Sequence, residues 1–116
     1  MESMERHLCS DAPVAAALSG GVDTSSIVAA MRKILGSGAD IHTFTFTGSG
    51  HVETDEEPWA MIVSDACRTV MHKVPYSPEK LEEGFDNFMF FQDWPTSSPV
   101  VFAQYQVFAS ARVAGF

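Results

Sequence analysis

One short segment holds most of the residues whose types could do chemistry together. It contains two glycines, three hydroxyl side chains and one carboxylate: Ser19, Gly20, Gly21, Asp23, Thr24 and Ser25. Glycines let the backbone approach a phosphate closely, hydroxyls donate hydrogen bonds to phosphate oxygens, and a carboxylate can hold Mg²⁺. The spacing is therefore typical of a loop that binds a polyphosphate.

The same segment also has a purely structural interpretation. The glycines can serve only to make a tight turn, and Asp23 or Thr24 can serve only as a helix cap. The Walker A pattern, a G-x-G-x-x-G fingerprint after a strand and a G-x-S-x-G nucleophile motif are absent from the sequence. P-loop kinases, Rossmann dehydrogenases and α/β hydrolases are therefore disfavoured, whereas the phosphate-binding and structural interpretations both stay open.

Hydrophobic patterns place this segment between a strand and a helix. The apolar run at 13–18 predicts a buried strand, and the stripe at 24–35 predicts a helix that ends at Gly36. The later patterns predict strands at 41–47 and 69–74, a helix after the acidic run 53–57, a helix that begins at Ser77, and a helix at 100–114 buried by several neighbours. This order predicts an α/β fold with a three-layer, Rossmann-like parallel sheet, in which ligands bind beyond the carboxyl ends of the strands.

Several side chains receive plain structural interpretations. Thr54 or Asp55 is the expected cap of the second predicted helix, and the acidic run 53–57 is interpreted as its solvated start rather than as a Mg²⁺ site. The helix after Ser77 is expected to direct four apolar side chains inward: Leu81, Phe85, Phe88 and Met89. The four histidines lack metal-ligand spacing and are interpreted as strand or surface residues: His7, His42, His51 and His72.

Composition limits the classes of protein and partner. With 7 Lys+Arg against 15 Asp+Glu, the net charge is −8, and 46% of the 116 residues are hydrophobic, which predicts one folded domain over residues 1–116. The basic residues are scattered, so a nucleic-acid or anionic-membrane partner is not expected. Cys9 and Cys67 form no metal-binding motif, and no signal-peptide core or membrane-length apolar run is present. We therefore expect a cytoplasmic protein with reduced thiols.

The phosphate-binding segment resembles the S-G-G-x-D-S signature of the PP-loop, or N-type, ATP pyrophosphatases, with Thr24 in place of the usual serine. Upstream, L-x-S-D-x-P-V at 8–14 followed by L-S-G-G at 18–21 resembles the start of the asparagine synthetase C-terminal domain. The strand at 42–46, the acidic pair at 55–56 and the segment at 93–98 resemble later parts of that domain. The resemblance covers residues 4–116 and implies an ATP-dependent amidoligase that requires Mg²⁺.

The resemblance also assigns roles to particular residues. It implies that five residues hold the pyrophosphate of ATP: Ser19, Gly20, Gly21, Thr24 and Ser25. It further implies that Asp23 binds Mg²⁺ and that the backbones of Leu18 and Phe46 flank the adenosine. In the family, the β-carboxylate of aspartate takes AMP from ATP before ammonia displaces it, and the resemblance assigns no catalytic side chain to this chain.

Two departures from the family pattern leave alternatives open. Trp94 stands where the family has a glutamate, and the family's S-G-x-G-x-D-E motif has no counterpart in these residues. The alternatives are another PP-loop ligase, similar to β-lactam, macrolactam, GMP or NAD synthetases, and a non-catalytic nucleotide-binding or structural module. Since the resemblance places a further strand and acidic loop after Phe116, we expect poor turnover by this chain alone. We also expect it to self-associate, as a homodimer, through the edge at 14–18 and the helix at 100–114.

Overall fold

The computed structural model describes residues 2–48, 55–96 and 98–116. Within these ranges, strands and helices alternate from β1 to α4, as the sequence predicts. The elements are α1 (Glu2–Leu8), β1 (Ala15–Ala17), α2 (Val22–Leu35), β2 (His42–Thr47), α3 (Glu57–Cys67), β3 (Val70–Pro75), α4 (Pro78–Gln92) and α5 (Pro99–Val113). No helix of the described residues is both long enough and apolar enough to cross a membrane.

The three strands form one parallel sheet in the order β1-β2-β3. Ala16 is in register with Thr43, and Thr43 is in register with Met71. Because parallel strands joined by crossover helices all end at the same edge of the sheet, the turn after β1 lies beside the end of β2. The parallel α/β fold predicted from the sequence is confirmed, and this edge is where a site is expected.

The helices α2 and α3 cover one face of the sheet, and an apolar core lies between them and the strands. Ala16 and Leu18 pack against Val28 and Met31 of α2 and Ala60 of α3. Alternation along the strands directs Thr43, Thr45 and Thr47 of β2 away from Phe44, and all three threonines are buried. Apolar and β-branched residues are favoured in strands whose side chains pack against helices, which explains the short runs of strand-forming residues in the sequence.

The opposite face of the sheet is covered by α5, which makes the fold three-layered. Phe44 of β2 and Val74 of β3 pack with Val107 of α5. α4 packs on α5, where the Phe88 ring meets the Phe102 ring edge-on with centroids 5.4 Å apart. The two layers of helices are thus held by separate cores on the two sides of one sheet.

Local signals in the sequence explain where several helices begin and end. The Ser77 hydroxyl accepts a hydrogen bond from the Lys80 amide at 3.2 Å, so the predicted start of α4 is confirmed. α2 ends at Gly36, whose φ of 81° favours glycine. The carboxylate of Asp55, a predicted cap, accepts a hydrogen bond from the Glu57 amide, although Glu56 is the N-cap residue of α3. Thr54, the other predicted cap, lies outside the described residues.

Other predictions about the elements were wrong in their limits or their burial. α1 was not predicted, and α2 begins at Val22 rather than at residue 24. Phe85 was expected in the core but is 47% exposed, because α4 contacts the body of the protein mainly along the line of Phe88. α5 buries Phe102 and Val107 but leaves Phe108 60% exposed, because only one of its faces meets the sheet.

Candidate functional site

The turn after β1 is held by a small network of hydrogen bonds centred on Thr24. The hydroxyl oxygens of Ser19 and Thr24 lie 3.0 Å apart, and the Ser19 amide donates to Thr24 Oγ1 at 3.3 Å. Thr24 Oγ1 also donates to the Gly21 carbonyl at 3.2 Å, and the Gly21 amide donates to Ser19 Oγ at 3.3 Å. These bonds define the path of the turn and use the amides of Ser19 and Gly21 within the protein.

The start of α2 remains the anion-attracting part of this turn. Its N-cap residue is Gly21, which provides no side-chain cap. The first intrahelical bond runs from the Ser25 amide to the Gly21 carbonyl at 3.0 Å, so the amides of Val22, Asp23 and Thr24 have no acceptor within the helix. Together with the helix dipole, these amides favour a phosphate beside Gly21.

The two glycines of the turn have different structural roles. A Cβ on Gly20 would lie 2.4 Å from Trp59 Cβ and 2.6 Å from the Ala60 amide nitrogen, and the φ of Gly20 is 79°. A Cβ on Gly21 would have its nearest neighbour, Ser19 Oγ, at 3.4 Å, which is ordinary contact. Gly20 is thus required by the packing of the turn against α3, whereas Gly21 borders open space that a ligand can occupy.

Asp23 and Ser25 lie in contrasting surroundings. Asp23 is exposed in the first turn of α2, where a carboxylate can reach a cation beside a bound phosphate. The Ser25 hydroxyl is buried and has no hydrogen-bond partner among the described residues. Leaving a buried hydroxyl unsatisfied costs about 1–3 kcal/mol, so this donor at the base of the turn favours an added acceptor. Both features fit a phosphate with Mg²⁺.

A pocket opens directly beside the turn, between the sheet and α5. It measures about 150 Å³, a volume that in an apolar cavity accommodates one aromatic ring. Its lining comes from β1 and its turn, β2, the start of α3 and α5: Ala17, Leu18, Ser19, Thr24, Phe44, Phe46, Glu56, Val100, Ala103, Gln104 and Val107. An apolar pocket that adjoins an anion-attracting helix start matches the two ends of a nucleotide.

The structure brings the predicted site residues together in two adjoining places. Leu18, Ser19, Thr24 and Phe46 line the pocket. The others follow along the turn and the first turn of α2: Gly20, Gly21, Asp23 and Ser25. The contribution of α5 was missed from the sequence. Gln104 is a single polar side chain among apolar ones spaced three and four residues apart, and this pattern is the signal that could have identified it.

Two other groups singled out in the sequence lie elsewhere, apart from Glu56 of the acidic run, which lines the pocket. His42 Nδ1 and His72 Nε2 are 2.9 Å apart on neighbouring strands, a pairing that depends on strand register. In the acidic run, Glu57 Oε1 accepts from Lys73 Nζ at 2.6 Å. Among the described residues, no group of three or more His, Cys, Asp or Glu side chains is arranged to hold a metal ion. His51 and Glu53 lie outside the described ranges.

Sequence comparisons relate the chain to known proteins. The family model for asparagine synthase matches residues 1–116. The chain is 32% identical over 111 residues to a protein of Methanocaldococcus jannaschii named "Putative asparagine synthetase (glutamine-hydrolyzing) 2", covering 96% of this chain and 21% of that protein. It is 29% identical over 110 residues to asparagine synthetase (glutamine-hydrolyzing) 3 of Bacillus subtilis, covering 85% of this chain and 18% of that protein.

The chain therefore spans about one fifth of the length of these curated relatives. The match nevertheless includes the turn after β1 and the helix α5, which both line the pocket. The family model matches the whole chain, and the two curated relatives carry asparagine synthetase names. The chain belongs to the asparagine synthase family.

Proposed function

We propose that this chain is the ATP-binding part of an asparagine synthetase-like ligase. The observation that carries the proposal is the shared lining of the pocket, in which Leu18 and Phe46 border the same space as Ser19 and Thr24 of the turn. The base of ATP lies at the pocket, and the phosphates lie at the start of α2. Concave apolar pockets with a few polar groups at the carboxyl ends of parallel strands are common ligand sites.

The start of α2 orients the phosphates in this proposal. The amides of Val22, Asp23 and Thr24 donate to phosphate oxygens, because they have no acceptor within the helix. Gly21 leaves the approach open, since its nearest neighbour to an added Cβ is 3.4 Å away. These contacts would fix the phosphate chain against the turn and counter negative charge that develops during transfer.

Asp23 is the residue proposed to hold Mg²⁺. Mg²⁺ keeps several waters and is commonly bound by one or two carboxylates together with substrate phosphates, so a single exposed carboxylate beside the phosphates is sufficient. When bound, the ion neutralises phosphate charge and polarises the phosphorus that is attacked. A chain with a net charge of −8 needs such a cation to hold a polyanion.

The reaction proposed for the complete ligase is adenylation of aspartate followed by amide formation. A carboxylate oxygen attacks the α-phosphorus, the bond to the β-phosphate oxygen breaks, and pyrophosphate leaves. Ammonia then attacks the acyl carbon, loses a proton and displaces AMP. The residues of this chain position ATP but provide no general acid or base at the pocket in this proposal, so turnover by the chain alone is expected to be slow by orders of magnitude.

Calorimetry with Mg-ATP tests the binding proposal. We expect saturable binding that weakens at least about tenfold in Gly21→Val, because a branched side chain enters the phosphate space. Gly38→Val is the matched control, since an added Cβ at Gly38 meets nothing within 4 Å. Equal affinities for the wild type and both variants would overturn the proposed function.

A further inference from the structure

Two half-buried histidines lie near the amino ends of β2 and β3, away from the turn after β1. His42 is the first residue of β2, and His72 is the third residue of β3. His42 Nδ1 and His72 Nε2 are 2.9 Å apart, which is a hydrogen-bond distance. Such a bond requires that one ring donates an N–H and that the other ring is neutral at the accepting nitrogen. The two residues are called the histidine pair below.

The histidine pair is part of the aromatic contact between the sheet and the end of α5. The His72 ring stacks on the Phe44 ring, with centroids 4.5 Å apart and an interplanar angle of 11°. The His42 ring lies against the Phe116 ring, with centroids 4.9 Å apart. Phe116 is tied to α5, because its amide donates to the Ala111 carbonyl at 3.0 Å. A change in the charge of the pair therefore acts directly on the packing of α5 against β2.

We propose that the histidine pair is a pH-sensitive contact that holds the end of α5 on the sheet at neutral pH and weakens this packing in acid. The pair accommodates one proton, because an imidazolium still donates to the neutral ring beside it. A second proton removes the acceptor of the hydrogen bond and places two positive charges next to each other. The unfolded chain takes up both protons without this penalty. The free energy of unfolding therefore falls as the pH drops below about 6.5, the ordinary titration midpoint of histidine.

Charged groups on the elements around the pair do not replace the lost acceptor. These groups are Asp40 before β2, Lys73 of β3, Arg112 of α5 and the carboxylate of Phe116. Alternation along β3 directs Lys73 to the opposite face of the sheet, where it pairs with Glu57 at 2.6 Å. Asp40 and Arg112 are exposed, so water and salt screen their charges. Among the described residues, none of these groups hydrogen bonds to either imidazole, so the bond between the rings decides the response to a second proton.

Thermal unfolding at two pH values tests this inference, which does not depend on the proposed function. Between about pH 7.5 and about pH 5, the wild-type Tm should fall by at least about 4 °C more than the Tm of His72→Gln. The glutamine amide keeps a hydrogen-bonding group near the position of Nε2 but takes up no proton. His42→Asn keeps such a group near the position of Nδ1 and should also show the reduced pH dependence. His7→Gln is the matched control, because the His7 ring bonds to the Ser3 carbonyl on exposed α1, and it should keep the wild-type pH dependence.

Amide NMR of the wild type provides a measurement that requires no variant to fold. The ¹⁵N–¹H signals of Val107 and Ala111 should move over the same pH interval, because both residues pack in the core beside Phe44. Absence of that movement would overturn the inference, as would an equal fall in Tm for the wild type and both variants of the pair. A loss of the pH dependence in His7→Gln would also overturn it. Failure of the chain to bind Mg-ATP would contradict the proposed function alone.

Discussion

The hydroxyl oxygens of Ser19 and Thr24 lie 3.0 Å apart and join the end of β1 to the first turn of α2. Thr24 Oγ1 also accepts from the Ser19 amide and donates to the Gly21 carbonyl. One hydroxyl therefore organises the turn from inside, while the amides at the start of α2 face the proposed phosphates. The positioning of the site thus depends on a side chain whose main contacts are within the protein.

Thr24→Val removes this hydroxyl while keeping the shape of the side chain. We expect the free energy of unfolding to fall by about 1–2 kcal/mol, because the Ser19 amide and the Gly21 carbonyl lose their partner. Mg-ATP affinity should fall as well, because the turn is less ordered. Thr24→Ser retains the hydroxyl and should restore most of both quantities, measured by urea unfolding and calorimetry. A fully stable Thr24→Val would show that the network contributes nothing.

Gly20→Ala should destabilise the fold more than any substitution at an open glycine. Its Cβ would lie 2.4 Å from Trp59 Cβ, and alanine disfavours the φ of 79°. Overpacking and the left-handed conformation together should cost about 2–5 kcal/mol in unfolding free energy. Gly38→Ala, with nothing within 4 Å, should change stability by less than about 1 kcal/mol. Similar stabilities for the two variants would contradict the packing of the turn on α3.

Arg32 connects the carboxyl end of α2 to the end of α3. Its guanidinium donates to the carbonyls of Cys67 at 2.7 Å and Arg68 at 2.9 Å, and also to those of Gly36 and Ala39. Arg32→Met keeps the apolar stem but leaves these carbonyls unpaired, and should lower the unfolding free energy by about 2–4 kcal/mol. Lys33→Met, an exposed neighbour, is the control and should have little effect in the same denaturant titration.

The start of α4 provides a prediction about pH. The Ser77 hydroxyl donates to Glu79 Oε2 at 2.6 Å and, with a contribution from the Glu79 amide, holds the pKa of that carboxyl below its ordinary value. Because the folded pKa is lowered, the stabilisation is present above the unfolded pKa and disappears as the pH falls through the folded pKa. In Ser77→Ala, an NMR titration should show the Glu79 pKa raised. An unchanged pKa would contradict the role of the hydroxyl.

We also propose that the chain pairs with a second copy of itself. β1 pairs with β2 alone in the described sheet, and α5 leaves Phe108 60% and Val100 69% exposed. An open strand edge beside exposed apolar side chains favours association. Light scattering coupled to gel filtration should show a dimer at high protein concentration that dissociates on dilution, and Ala17→Pro should weaken it by disturbing the edge. A persistent monomer would contradict this proposal.

Local patterns in the sequence were sufficient for the order of elements from β1 to α4 and for the turn at the site. Three signals come from residues that are close together in the sequence, so they can be recognised without the tertiary structure. They are the apolar stripe of α2, the alternation of β2 and the Ser77 cap of α4. The different roles of Gly20 and Gly21 could not be predicted, because they depend on contact with Trp59 of α3. The same holds for Gln104, whose place in the pocket depends on how α5 docks.

The extent to which α5 is buried could not be predicted from its apolar sequence. An apolar sequence on nearly every side predicts several neighbours; Phe102 packs on α4 and Val107 packs on the sheet, whereas Phe108 is 60% exposed. Periodicity carries no signal of how many neighbours cover a helix, because the apolar residues are present whether or not a partner covers them. Periodicity identified the helix correctly, whereas the number of its neighbours required the tertiary structure.

The proposed function places the phosphates of Mg-ATP at the start of α2 and its base in the pocket under α5. Titration of the ¹⁵N-labelled chain with Mg-ATP, followed by amide NMR shifts, tests it most directly. We predict that the largest saturable shifts fall on Val22, Asp23 and Thr24, with a second group at Gln104 that inorganic triphosphate does not reproduce. Shifts confined to distant residues such as Gly38, or no shifts at millimolar Mg-ATP, would contradict the claim.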